Sequence, residues 1–575
     1  MKKVIVIAYI IFSCIPTFAQ FPETVFEKSA GTQTATYLQA IAYYETLQKR
    51  FPAISIKKFE ATDAGYPLHL VLFSADQSFD PAQWKKNNKA VILINNGIHA
   101  GEPDGIDASM ILLRDLVTGK IKAPKNVVIG IIPVFNIGGA LQRNSFSRVN
   151  QNGPESYGFR GNAQNLNLNR DFTKTDSKNM RGFATIFHFM QPHILMDNHV
   201  SDGADYQHVM TLLTSQHNKL GGAPGVYLHD IFEPALYKGM EKKNFPMCPY
   251  VNFETANPDK GWLAFYDPPR YSSGYAALFQ TIGFVPETHM LKPYKQRVEA
   301  TYALMQTLIE ESSKSADALI ANKKEAEKGI LSQNQFALNW QIDSSKNDVI
   351  HFKGYEAARK KSEVTGMERL YYDRTKPFEK DVKYYNYYKP GMMISAPKAY
   401  IIPQGWHKVI DILKLNNVKM KRLKKDTIIY VETYRIEDYK SYPRPYESHH
   451  KNYDVITSKA LTKIQFLKGD YVIDCNQLAK RYLVEMLEPM GDDSFFSWNY
   501  FDAILQQHEG YSEYRWEDVA ANYIAQHPGL KARLEEKKKT DEKFAASASA
   551  QLNFIYKNSP YYEPQHLRYP VYRLL

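Results

Sequence analysis

The segment Val91-Ile92-Leu93-Ile94-Asn95-Asn96-Gly97-Ile98-His99-Ala100-Gly101-Glu102-Pro103-Asp104-Gly105 decides how this chain is read. Val91–Ile94 is a continuous apolar run of strand length. Beyond the turn, Ile106, Met110, Leu113 and Val117 recur at helical spacing until Gly119 supplies a stop. A buried strand that turns directly into an amphipathic helix is a building unit of α/β sheets. His99 and Glu102 stand on that turn, three residues apart, and both side chains can bind a divalent metal. Alone the pair says little, because a turn histidine is the commoner explanation.

Outward from this point the alternation continues. Upstream, Thr36–Arg50 predicts an amphipathic helix closed by Phe51-Pro52, followed by strands Ile54–Phe59 and Leu68–Phe73. Downstream come strand Val127–Phe135, a loop-rich stretch Asn136–Asp171, helix Asn179–Met190, and strands Ile194–His199 and Val209–Leu213. Helix Gly274–Thr281, strand Phe284–Glu287 and a long helix from Tyr294 towards Lys324 complete the series. The pattern predicts an α/β fold with a mixed, largely parallel sheet flanked by helices, whose sites lie at the carboxyl ends of strands. Beyond Gln335 the texture changes to short strands (Ala399–Ile402, Thr427–Glu432, Ala460–Leu467, Tyr471–Ile473) among tyrosines and basic residues, interrupted by helix Trp406–Asn416. Gln477–Leu487 and Trp516–Ala525 read as further helices, and Lys531–Ala550 as a charged helix or linker. The expected division is a leader over 1–19, an α/β domain over 20–330, a strand-rich C-terminal accessory domain over 331–470, and a mixed, helical region over 471–575.

A chain of 575 residues exceeds one core, and its hydrophobic and charged fractions, 44% and 23%, are those of an ordinary globular protein. Lys2 and Lys3, the apolar run Val4–Ile15 and the small-x-small pattern Thr17-Phe18-Ala19 predict a secretory signal peptide, hence export to a periplasm or the exterior. The apolar run is shorter than the roughly 20 residues that a membrane span requires, and no later segment is longer. After removal of the leader only Cys248 and Cys475 remain, too few for a disulfide framework, although an oxidising compartment permits a bridge. The net charge of +11 is carried by runs such as Lys419–Lys425 and Lys531–Lys543, which read as solvated faces rather than a nucleic-acid surface.

A metal needs three or four ligands converging from separate segments. Asp197-Asn198-His199 ends an apolar strand and supplies a third candidate, His199, with Asp197 on the same face. Four pieces then occur in one order: His99-Ala100-Gly101-Glu102, Asn167-Leu168-Asn169-Arg170-Asp171, Asp197-Asn198-His199 and Pro286-Glu287-Thr288-His289. Together they resemble the zinc carboxypeptidase family, the carboxypeptidase A-like metallopeptidases, over roughly residues 36–321.

The resemblance implies one Zn2+ per chain, held by His99, Glu102 and His199, with Glu287 as the general base and acid. It implies that Asn169 and Arg170 clamp the terminal carboxylate of a peptide substrate, a task suited to the planar guanidinium fork. An arginine that stabilises the developing oxyanion is also implied. Arg143, Arg148 and Arg160 all precede Asn169, and Arg148 is the choice. The family often shows Asn-Pro-Asp-Gly ahead of this arginine, where this chain has Asn136-Ile137-Gly138-Gly139. Tyr266, Tyr271 and Tyr275 compete for a mobile tyrosine over the substrate, and Tyr271 is the choice. The implied activity is an exported metallocarboxypeptidase. A zinc amidase acting on cell-wall peptides or other non-standard amides is the alternative, and an inactive binding protein is disfavoured because the ligand set and Glu287 are intact.

Overall fold

In the computed structural model, residues 21–251, 253 and 257–575 are described; the expected leader over 1–19 lies outside them. Among the described residues the principal sheet has nine strands. Its order runs Ile54–Ala61, Pro67–Phe73, Val127–Ile132, Ala90–Asn95, Ile194–Asp197, Ile282–His289, Met210–Thr214 and Cys248–Pro249, with His199–Ser201 added alongside Ile282–His289. The central strands Val127–Ile132, Ala90–Asn95, Ile194–Asp197 and Ile282–His289 run parallel, and the antiparallel pairings lie to either side. The sheet is therefore mixed and mostly parallel, as the strand–helix alternation predicts.

The uninterrupted apolar run at residues 90–94 follows from burial on both faces. Ile92 and Ile94 pack on one side with Leu112, Leu113, Val298 and Leu308 from helices Asp104–Val117 and Tyr294–Lys314. Val91 and Leu93 pack on the other with Met180, Phe183 and Phe187 of helix Lys178–Met190. Thr36 caps helix Tyr37–Arg50 by a reciprocal exchange with Gln39, and Ser177 caps Lys178–Met190 by accepting from Met180 N–H.

The structure departs from expectation where tertiary pairing overrides local pattern. The run Ile194–His199 is split at Asn198, whose N–H donates to Asn95 O, so His199–Ser201 is a separate strand that, among the described residues, pairs with Ile282–His289 alone. The long helix expected from Tyr294 breaks at Ser315 (φ −112°, ψ 16°), and Ala316–Ser332 turns to bury Leu319 and Ile330. Asp348–Lys361 and Glu368–Tyr385 form a long hairpin that no apolar period announces, because most of its residues are solvated.

A second sheet takes the order Lys421–Arg422, Tyr471–Asp474, Ala399–Ile402, Tyr572–Leu574, Thr427–Ser441 and Asn452–Phe466. Its strands lie on both sides of position 470, and the last one comes from the chain's final residues. Tyr400, Ile402, Tyr434 and Tyr482 share one continuous apolar core with Leu93, Phe183 and Phe187 of the first sheet's layer. The helices Glu513–Gln526, Pro528–Thr540, Glu542–Ala545 and Ala548–Lys557 build a smaller core of their own around Trp516, Leu534, Phe544 and Leu552. Cys248 and Cys475 are both buried and free. Among the described residues no helix is long and apolar enough to cross a membrane.

Candidate active site

The turn after strand Ala90–Asn95 brings His99 and Glu102 to the carboxyl end of the sheet, where His199 begins the neighbouring short strand. One ligand atom from each of His99, Glu102 and His199 lies within 4.8 Å of the other two, and all three residues are buried. His99 Nδ1 is 3.1 Å from one Glu102 oxygen and His199 Nδ1 is 3.4 Å from the other. Both Nε2 atoms are held from behind, His99 by Asn167 Oδ1 and His199 by Asp197 Oδ2, each at 3.0 Å. Asp197 is fully buried and also accepts from Asn95 Nδ2 at 3.0 Å.

Glycine is required at this turn for space. A Cβ at Gly101 would meet Arg148 Cδ at 2.7 Å and Gly158 O at 2.9 Å, so its absence lets the arginine reach Glu102. At Gly105 a Cβ would meet Asn96 Oδ1 at 2.4 Å, where the helix start approaches the sheet end.

The three groups differ in the protonation state their surroundings favour. Burial pushes the His99 imidazole down to about 4, which keeps its ring neutral and a lone pair free. Burial opposes charge on Glu102, yet His99, Arg148 and His199 outweigh it and hold the carboxyl well below its ordinary range. Burial works against charge on His199 too, but Asp197 overrides it and raises that imidazole. His99 Nδ1 is buried and faces Glu102 Oε1 at 3.1 Å without an aligned hydrogen bond. Two imidazoles and a carboxylate are the donor set of a catalytic zinc site, and that nitrogen is where such an ion fits.

Glu287 sits across the parallel pair from His199, as its Cα partner, outside the three-ligand cluster but lining the same cleft of ≈ 410 Å³. Burial, with the Glu102 charge adding to it, raises its carboxyl to about 8. Asn169, Arg170 and Tyr271 line the cleft as well. Arg170 lies 4.1 Å over the Tyr271 ring, and its Nη1 donates to Asn169 O at 2.7 Å.

The three arginines separate. Arg143 donates to Ala35 O, Thr34 O and Ser156 O, and is absent from the residues lining the cleft. Arg148 lines it, but its Nε, Nη1 and Nη2 are engaged by Gln151, Glu102 and Val200 O, and its side chain is 11% exposed. Among the described residues the Arg160 guanidinium makes one hydrogen bond, Nη1 to Glu102 Oε1 at 3.3 Å, and its side chain is 46% exposed. Tyr275 is buried in the core with its hydroxyl donating to Asn416 Oδ1, and Tyr266 packs on Tyr388. The histidines bracketing the third ligand in sequence are structural: His193 Nδ1 accepts from Val91 N–H and His208 Nδ1 binds Pro246 O.

Sequence reasoning missed contributors from afar. Tyr446 Oη accepts from Arg170 Nε at 3.0 Å, Glu447 Oε2 accepts from Asn167 N–H at 2.8 Å, and His449 Nε2 pairs with Asp176 at 2.8 Å. Nothing in spacing links these positions to residues nearly three hundred places earlier. Asp267 also lines the cleft, with burial raising its carboxyl to about 6 and Ser273 Oγ donating to it at 2.6 Å.

Fold and site thus define a mixed α/β scaffold with a buried His-Glu-His cluster that could hold a metal ion. Residues 40–193 match the family model described as zinc carboxypeptidase. Carboxypeptidase 2 of Trichophyton rubrum is 22% identical over 435 residues, covering 72% of this chain and 74% of that one. Carboxypeptidase 2 of Trichophyton equinum is 22% identical over 438 residues with the same coverage, 72% and 74%. Among solved structures, a metallo-carboxypeptidase from Burkholderia cenocepacia is 14% identical, with 49% of this chain and 70% of that one covered at a TM-score of 0.36. Carboxypeptidase A from Helicoverpa armigera is 14% identical, with 50% and 75% covered at a TM-score of 0.38. The match to the zinc carboxypeptidase model thus covers the segment that carries His99, Glu102, Asn169 and Arg170, and ends short of His199 and Glu287.

Proposed function

We propose that the protein is an exported enzyme that removes residues from the free C-terminal end of peptides. The observation that carries this reading is the pairing of the His99, Glu102 and His199 cradle with Glu287, its register neighbour, in one cleft with the Arg170 guanidinium. His99, Glu102 and His199 would hold Zn2+, which when bound supplies a Lewis acid for activating water and the scissile carbonyl.

The remaining roles belong to the chain's own groups. Glu287 takes a proton from the attacking water and delivers it to the leaving amine, a role open to a carboxylate that lines the cleft beside the cradle without belonging to it. Arg170 and Asn169 bind the substrate's terminal carboxylate, the guanidinium offering parallel donors. Arg160 donates to the carbonyl oxygen as charge develops there, since most of its donors are free, whereas those of Arg148 are spent on Glu102, Gln151 and Val200 O. Arg148 in this reading keeps Glu102 ionised and aligned. Tyr271 lies against Arg170 and closes one side of the cleft.

The test is hydrolysis of matched peptides with free and amidated C-termini, with products identified by mass spectrometry. Loss of single C-terminal residues from the free acids alone is expected. Equal rates on the amides would remove the carboxylate clamp from the mechanism.

A further inference from the structure

We infer that Tyr446, on the loop joining strands Thr427–Ser441 and Asn452–Phe466 of the second sheet, is a positioning residue for Arg170, so that the C-terminal region completes the carboxylate clamp. This rests on the reading of Arg170 as the carboxylate-binding residue.

Three independent contacts fix the Arg170 side chain: Nε on Tyr446 Oη at 3.0 Å, Nη1 on Asn169 O at 2.7 Å, and the Tyr271 ring 4.1 Å beneath the guanidinium carbon. Of the five N–H groups of an arginine, three are then left for a ligand. Nε is the hinge end of the fork, and tying it sets the plane in which the free donors lie. Asn169 and Tyr271 belong to the first sheet's own loops, but Tyr446 arrives from far along the chain.

Tyr446 is itself held in place. Its ring stacks on the fully buried Trp498, with centroids 6.1 Å apart and planes 15° apart, and packs edge-on to Tyr442. Backbone N–H groups of Tyr446 and His449 donate to each other's carbonyls at 2.8 and 3.1 Å, closing a tight turn in which Glu447 (φ +50°) and Ser448 (φ +69°) are both left-handed. Two consecutive non-glycine residues in that region cost free energy that surrounding contacts must offset. Those contacts are on the clamp segment: Glu447 accepts from Asn167 N–H, and His449 pairs with Asp176. Asn167 is also the residue whose Oδ1 holds His99 Nε2. The loop therefore grips the segment that carries Asn169 and Arg170 at both ends, and touches the fork itself through one hydroxyl.

The experiment compares wild type with Tyr446→Phe in the full-length chain, on the same peptide with free and amidated C-termini. For the free acid, KM is expected to rise roughly tenfold with kcat within about twofold, since one hydrogen bond that preorganises a charged donor is lost. The inhibition constant of the amidated peptide, zinc content and melting temperature are expected to stay unchanged. In an Arg170→Lys background, Tyr446→Phe should add nothing. An unchanged KM for the acid, equal changes on acid and amide, or additive effects in the double variant would each overturn the inference. Wild type that fails to discriminate acid from amide would instead sink the reading of Arg170, which keeps the two failures apart.

Discussion

Replacing Asp197 with asparagine isolates how much of the zinc affinity comes from behind the ligand. The buried Asp197 carboxylate accepts from His199 Nε2 at 3.0 Å, fixing the tautomer that presents Nδ1 towards Glu102 and His99. Asp197→Asn preserves size and an acceptor oxygen but removes the charge. The new amide nitrogen would face Asn95 Nδ2, and Asn95 can turn its own oxygen, which now lacks a partner, to meet it. The fold is therefore expected to survive. A hydrogen bond involving a charged group contributes about 1.5–3 kcal/mol and a neutral one about 0.5–1.5. The loss is then about 1–1.5 kcal/mol, or roughly tenfold in the zinc Kd. Asn167→Ala removes a neutral acceptor from His99 and is expected to cost about as much. The assay is titration of metal-free protein with zinc against a chromophoric chelator at about pH 8, above the ordinary imidazole pKa. Melting curves of the metal-free variants check the fold. A Kd for Asp197→Asn within twofold of wild type, in folded protein, would refute the idea that the Asp197 charge supports His199 as a ligand.

Glu287→Gln is expected to lower kcat by about 10²–10⁴ while zinc content stays at the wild-type level, measured by elemental analysis beside peptide hydrolysis; wild-type turnover would remove Glu287 as the proton carrier. Arg160→Ala should cost about 10²–10³ in kcat with KM little changed, whereas Arg148→Ala, which strips Glu102 of its closest cation (2.8 Å), should weaken zinc binding first. The opposite pattern would exchange their roles. Burial pushes the Asp107 carboxyl up to about 6 from 3.8, against donation by Tyr294 Oη and Ala35 N–H. The fold thus favours the protonated acid, so its stabilising effect is present below pH 3.8 and is lost as pH rises through 6. The unfolding free energy of wild type minus that of Asp107→Asn should accordingly fall by up to about 3 kcal/mol between about pH 4 and 7, measured by urea denaturation. A flat difference would show that Asp107 ionises in the fold as it does in the unfolded chain.

How much could be read in advance depended on how locally each feature is encoded. The strand–turn–helix at residues 90–117 was legible because a strand buried on both faces must be apolar throughout, and the helix that follows must keep its 3.6 period. The hairpin Asp348–Lys361 with Glu368–Tyr385 was not, since solvated strands are held by backbone pairing and need no apolar alternation. His99 and Glu102 share one turn and so are bound together by sequence. Placing His199 and Glu287 beside them required the sheet: the parallel register that sets Glu287 opposite His199 is a tertiary fact.

The sequence by itself determined an α/β scaffold and put His99 and Glu102 on one strand-to-helix turn, while His199, Glu287 and Arg170 entered through the resemblance carried by the four motif pieces. The tertiary structure alone decided which arginine keeps free donors, that Asp197 and Asn167 back the two imidazoles, and that Tyr446 reaches Arg170. Those outcomes depend on which loops the packed cores bring together. A hydrogen bond between positions 170 and 446 leaves no periodicity or spacing in the chain from which to read it.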